Sequence, residues 1–171
     1  MLYFDTSALV KLVIAEEGSE LASELWATPH PATSSILAYP EGRAALAAAR
    51  RGARLTAAVH RRALEDFESP HGELLLIGID MQLAREAGQL AEKFALRGYD
   101  AVHLASALSA GDAITLVSWD ENLRRAAARN GCAVASSRPA PARLPRTKAG
   151  GLRYPAGREP QPGTTIAWWE R

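Results

Sequence analysis

Short apolar and β-branched runs alternate along this chain with longer stretches in which apolar residues recur every three or four positions. The short runs, Leu2 to Phe4, Ala32 to Ser34, Leu74 to Ile79, Thr115 to Ser118 and Ala133 to Ala135, read as strands. The longer stretches, at 7–15, 19–27, 35–51, 55–68, 81–96, 99–109 and 120–130, read as helices. Strands separated by helices need crossover connections, and these favour parallel strands with helices packed on both faces. The pattern therefore predicts an α/β fold, a three-layer α/β/α sandwich around a central, mostly parallel sheet. Ligands of such sheets gather beyond the carboxyl ends of the strands, where strand order reverses. Three aspartates sit just past predicted strands: Asp5 after Phe4, Asp80 after Ile79 and Asp120 after Trp119.

Composition adds a division of the chain. Its 171 residues, 47% hydrophobic and 23% charged, suit one domain with a core of its own. The net charge of +1 conceals two regions: 1–137 has thirteen basic against seventeen acidic side chains, and 138–171 has seven against two. A mildly acidic domain does not grip nucleic acid by overall charge, so any such contact must come from a local patch. Six of the ten prolines and four of the thirteen glycines lie in 138–171, which predicts an unstructured Pro/Gly/Arg-rich tail behind a domain at 1–137. A single cysteine, Cys132, makes no intramolecular disulfide and suits a reducing, cytoplasmic setting. No apolar run approaches the roughly 18 residues of a membrane span, and the first residues lack a basic signal-peptide region.

The carboxylates carry the candidate chemistry. Asp5, Asp80 and Asp120 each precede a predicted helix, where an aspartate ordinarily caps the first turn. Nothing more is expected of Asp80. At 100° per residue, Glu41 shares a stripe with Leu37, Ala44, Ala45 and Ala48, an apolar face where a carboxylate is costly unless paired or bound to a cation. Asp100 likewise lines up with Leu104, Ala107 and Leu108. Carboxylates that converge without a buried base raise one another's pKa, and a divalent cation neutralises them. A donor set of oxygens alone favours Mg²⁺ or Mn²⁺ over zinc. Pro40, directly before Glu41, is expected to remove a helical donor and kink the chain there.

Four segments carry a family resemblance: Leu2-Tyr3-Phe4-Asp5-Thr6-Ser7-Ala8-Leu9-Val10-Lys11-Leu12, Thr33 to Glu41, Gly98-Tyr99-Asp100-Ala101-Val102-His103-Leu104-Ala105-Ser106-Ala107-Leu108, and Val117 to Leu123. In that order and spacing they resemble the PIN domain of VapC-type toxins. The resemblance implies a metal-dependent endoribonuclease whose acidic cluster is Asp5, Glu41, Asp100 and Asp120. Asp5 and Asp100 would be direct ligands of Mg²⁺ (or Mn²⁺), with Glu41 and Asp120 assisting. It also implies the toxin of a toxin–antitoxin pair, cutting structured RNA, dimerising, and held inactive by a small antitoxin laid over the acidic site.

Other residues receive plainer readings. His103 lies about 60° round the helix from Asp100 and is expected to be a hydrogen-bonded structural residue. His30, His60 and His71 are expected at the surface. Arg43, Arg50, Arg51, Arg54, Arg61 and Arg62 form the dense basic cluster, but Arg43 and Arg50 fall about 160° and 180° from Glu41, so a solvated face is expected. Lys11 is a candidate phosphate or partner contact. There is no phosphate-binding Walker loop, Gly-x-Ser-x-Gly elbow or His-Glu-x-x-His pair. Two rival functions remain: an Asp-based phosphotransfer domain, in which Asp80 would take part, and a catalytically silent RNA- or partner-binding module.

Overall fold

Each segment marked by the hydrophobic pattern forms an element in the computed structural model, which describes residues 1–135. They are β1 (Leu2–Phe4), α1 (Thr6–Lys11), α2 (Ser19–Trp26), β2 (Ala32–Ser35), α3 (Ala38–Arg51), α4 (Ala57–Glu73), β3 (Leu75–Ile77), α5 (Met81–Phe94), α6 (Gly98–Ser109), β4 (Thr115–Val117), α7 (Glu121–Arg129) and β5 (Ala133–Ala135). The tail expected at 138–171 lies outside the described residues.

All strand pairs are parallel, in the order β3-β2-β1-β4-β5. The chain starts in the middle, builds outward through β2 to β3, then crosses over to lay down β4 and β5 on the other side. Strand order therefore reverses between β1 and β4, where Tyr3 pairs with Leu116 and Phe4 with Val117. The loops after these two strands diverge and leave the crevice in which α/β sheets bind ligands.

Alternation along β1 divides the core between the two faces. Tyr3 packs with Leu116 and with Leu83, Leu104 and Leu123 from α5, α6 and α7. Leu2 and Phe4 pack with Val117 and with Leu9, Leu46 and Phe67 from α1, α3 and α4. Phe67 is wholly buried, so truncating it to alanine would cost about 3–5 kcal/mol. Gly42 makes the α3–α4 contact close: a Cβ there would run into the Phe67 ring.

Helix α3 departs from expectation in two ways. It begins at Ala38, which puts Pro40 in the first turn, where a backbone N–H has no helical partner to lose. The expected kink is therefore replaced by an ordinary helix start. Its buried face is Ala38, Gly42, Leu46 and Ala49, while Ala44 and Ala48 are exposed. Glu41, about 60° round from Ala38, stands at the rim of that face, and the alanine stripe it shares is turned away from the core. Helix α4 also runs past its expected end, through a buried Pro70 to Glu73. At the sheet edge, β3 is shorter than the run 74–79 and leaves Leu75 and Leu76 exposed.

Candidate active site

The deepest acidic group is Asp5, only 3% exposed at the end of the central strand. As the N-cap of α1 its Oδ1 accepts the Ala8 N–H at 2.9 Å and the Ser7 hydroxyl at 2.7 Å. Its Oδ2 accepts the Ser118 hydroxyl at 2.6 Å, across the reversal point from β4. Both hydroxyls tie the two loops together, since Ser7 Oγ accepts the Trp119 N–H at 2.8 Å and Ser118 Oγ accepts the Asp120 N–H at 3.0 Å. Among the described residues every hydrogen-bond donor to Asp5 is neutral. Burial pushes its pKa up, against the opposing pull of His103 and these hydrogen bonds.

Trp119 anchors the second loop. Its ring covers Gly18, whose φ of 90° suits glycine and whose missing side chain makes the room. Lys11 lies 5.2 Å from the ring centroid and pairs with Glu16 at 2.5 Å. It is therefore engaged in holding this loop, neither solvated nor free to contact a phosphate.

Glu41 meets the site from α3. Its Oε2 accepts the Thr6 hydroxyl at 2.6 Å and lies 2.7 Å from His103 Nε2. His103, buried in α6, also stands 3.0 Å from Thr6 Oγ1 and, through Nδ1, 2.8 Å from the Tyr3 hydroxyl. The Tyr3 hydroxyl in turn accepts the Ser35 N–H at 3.1 Å. Burial works to raise the Glu41 pKa, but the hydrogen bonds from His103 and Thr6, with the positive charge of His103 and Arg97, hold it below the usual value.

Asp100 lies in the first turn of α6, where the residue preceding the helix, Arg97, folds back onto it. Arg97 Nε donates to Oδ2 at 2.7 Å and Nη2 to Oδ1 at 3.1 Å. The same Nη2 reaches Asp120 Oδ2 at 3.2 Å. Asp120 meanwhile caps α7 by accepting the Leu123 N–H at 2.8 Å. The Arg97 side chain is 76% exposed, so it closes the outer half of the site from the solvent side.

All four expected carboxylates thus meet at one end of the sheet, linked through Ser118, Thr6, His103 and Arg97. Among the described residues no three His, Cys, Asp or Glu groups already stand close enough to share one ion. Arg97 supplies the positive charge between Asp100 and Asp120. The donor chemistry fits a hard divalent cation: the set offers oxygens alone, and Asp5 is a buried carboxylate supported only by neutral donors.

The plainer readings fare unevenly. His103 is structural as expected, yet it touches the acidic site directly. Asp80 caps α5 through the Leu83 N–H at 2.8 Å and follows the edge strand β3, with β2 between it and β1. It is therefore not part of a phosphotransfer site around Asp5. Arg43 is spent on Glu68 and Tyr39, and Arg62 on Asp66, while Arg50, Arg51 and Arg54 are exposed, as a solvated face requires. His71 is not a surface residue: it is half-buried against Phe67 and Tyr39, and burial lowers its pKa. Arg97, Tyr3 and Thr6 were outside the expected site. Arg97 has a sequence signal, an arginine three residues before a helical carboxylate, and Tyr3 and Thr6 flank Asp5 in the first of the four segments.

A family model described as PIN domain matches residues 2–129. Over 136 residues the chain is 47% identical to Ribonuclease VapC49 of Mycobacterium tuberculosis (strain ATCC 25618 / H37Rv), covering 79% of this chain and 94% of that protein. This chain belongs to the VapC-type PIN-domain family. Solved structures of the family share its fold. The Mycobacterium tuberculosis VapC20, described as a Sarcin-Ricin loop cleaving toxin, matches with a TM-score of 0.59 at 19% identity, covering 74% of this chain and 95% of that one. VapBC2 from Rickettsia felis, solved with a DNA fragment from its promoter, matches with a TM-score of 0.56 at 13% identity, over 79% of this chain and 98% of that one. The reversal point of this PIN domain is where its acidic residues gather.

Proposed function

We propose that this protein is an endoribonuclease toxin that hydrolyses RNA phosphodiester bonds with a divalent cation, Mg²⁺ or Mn²⁺, held by Asp5 and Asp100 with help from Glu41 and Asp120. The observation that carries this reading is the burial of Asp5 at the strand-order reversal with only neutral hydrogen-bond donors. A buried carboxylate in that state is costly, and a cation relieves the cost. Kinship with proteins named ribonucleases supports the choice of RNA.

When bound, the cation supplies a water of lowered pKa and stabilises charge on the scissile phosphate. The chain's own residues arrange that chemistry. Ser7, Ser118 and the Ala8 N–H fix the Asp5 carboxylate, Thr6 and His103 hold Glu41, and Asp120 is steadied by its place at the start of α7. Arg97 must leave Asp100 and Asp120 for the cation to enter, and its exposed guanidinium is then free to meet a phosphate oxygen. The cut leaves a 5′-phosphate and a 3′-hydroxyl and needs no attack by the RNA 2′-hydroxyl. Unpaired or looped RNA is the substrate, because its bases and backbone are reachable.

An antitoxin partner is supported by the likeness to the VapBC2 complex, and a second copy by the apolar edge of Ile36, Leu75, Leu76, Ile79 and Met81, all exposed. Among the described residues no helix is long and apolar enough to cross a membrane. The test is cleavage of total cellular RNA by the purified, antitoxin-free protein with Mg²⁺ or Mn²⁺ against EDTA, beside Asp5→Asn. Discrete products that need both the metal and Asp5 are expected. No cleavage by folded protein under either ion would transfer the assignment to a binding module.

A further inference from the structure

Glu41 is held by one oxygen only. Both of its hydrogen bonds, from Thr6 Oγ1 and from His103 Nε2, end on Oε2, while Oε1 accepts none from the described residues. That asymmetry has a cause that runs through the core. The Ser35 N–H, in β2, occupies one lone pair of the Tyr3 hydroxyl, and the hydroxyl stands 2.8 Å from His103 Nδ1. Tyr3 comes from the central strand and is wholly buried, and His103 is 2% exposed, so bulk water does not compete for either ring's polar atoms. With Nδ1 engaged by tyrosine, the N–H on Nε2 points at Glu41.

We propose that His103, backed by Tyr3, is a positioning residue: it clamps Oε2 and leaves Oε1 as the oxygen that Glu41 would offer to a cation held with Asp5. Side chains that orient a metal-binding carboxylate from behind act in this way without touching the metal. Thr6 cannot do this unaided, because its hydroxyl rotates and also lies 3.0 Å from His103 Nε2. The imidazole supplies a donor whose direction is fixed by its ring. The burial of two polar rings between a β-sheet and α6 follows from the same role, since an apolar pair would fill the space without the desolvation of a hydroxyl and an imidazole.

The inference rests on the metal-dependent reading above, and the experiment separates the two. Mn²⁺ binding is measured on the full chain from the paramagnetic resonance signal of free Mn²⁺, for the wild type and for Asp5→Asn, Tyr3→Phe, His103→Leu and His103→Gln. Circular dichroism melting confirms that each is folded. The expected result is binding that needs Asp5, weakened about 10- to 100-fold in His103→Leu, weakened less in Tyr3→Phe, and largely recovered in His103→Gln, whose amide can still donate to Oε2. Tyr3→Phe leaves Glu41 and His103 untouched, so it also serves if His103→Leu does not fold. Wild-type affinity in a folded His103→Leu, or failing that in Tyr3→Phe, overturns the clamp while leaving the metal site standing. Absence of Asp5-dependent binding in the wild type overturns the metal-dependent reading and the clamp with it.

Discussion

The inner and outer halves of the acidic site are built differently. Asp5 and Glu41 lie among hydroxyls, a backbone N–H and an imidazole supplied by the start of α1, the residue after β4, and α6. These supports come from elements packed into the folded core, with Ser118 and His103 themselves buried. Asp120 keeps its cap bond to the Leu123 N–H, but what joins Asp100 to Asp120 is one arginine whose side chain is 76% exposed. Ion pairs to so exposed a partner contribute about 0–1 kcal/mol. The fold therefore presets the inner half and closes the outer half with an exposed arm. On the proposed metal-dependent reading, the cost of burying Asp5 would favour a cation and that arm would offer it little resistance.

The largest effect expected is at Asp5. Asp5→Asn keeps the shape and should cut RNA cleavage by about two to three orders of magnitude or more, read from initial rates on a defined RNA. The same change should stabilise the metal-free protein. Burial raises the Asp5 pKa in the folded state, so its ionised form costs stability at pH values above that raised pKa, and the cost vanishes below the unfolded pKa. Melting in EDTA should thus show Asp5→Asn more stable than the wild type by a few degrees at neutral and alkaline pH, with the gap closing on acidification. Glu41 has the opposite sign. Its folded pKa is lowered, so its ionised form adds stability above the unfolded pKa, which is lost as pH falls through the folded one. Glu41→Gln should therefore melt lower than the wild type at neutral pH and match it in acid. Equal behaviour of the two variants would erase the distinction drawn within the inner half.

Gly42→Ala should come next. The added methyl meets the wholly buried Phe67 ring, and overpacking of this kind costs about 1–3 kcal/mol. Because it moves α3 and not α6, it should disturb Glu41 and leave the Arg97–Asp100 pair in place, which a crystal structure of the variant would show. The smallest effect on stability is expected from Arg97→Ala. Melting should change by no more than the few degrees that about 1 kcal/mol produces, while Mn²⁺ should bind the variant more tightly once the competing guanidinium is gone. Weaker Mn²⁺ binding in Arg97→Ala would mean that the arginine supports the cation and does not stand in for it.

Much of this arrangement was legible in the chain. Parallel strands followed from the helices between them, and Asp5 and Asp120 were placed by the rule that ligands gather past strand ends. Asp100 was readable from its helical stripe. Glu41 was found for a reason that only partly holds, since its alanine stripe is exposed and the helix buries Ala38, Gly42, Leu46 and Ala49. A run rich in alanine offers no contrast between faces, so only packing against Phe67 decides which side turns inward. Tyr3 could not have been tied to His103, because a hydrogen bond between residues 100 apart leaves no local pattern. Pro70 reads locally as a helix end, but its burial against the core carries α4 through to Glu73.

The most direct test of the account is a crystal structure of the protein soaked in Mn²⁺, with the ion located by its anomalous scattering. A peak is expected within coordination distance of Asp5 and Asp100, with Arg97 swung away from Asp100 and Asp120. A peak elsewhere, or an acidic site without manganese and with Arg97 still bridging the two aspartates, would contradict it.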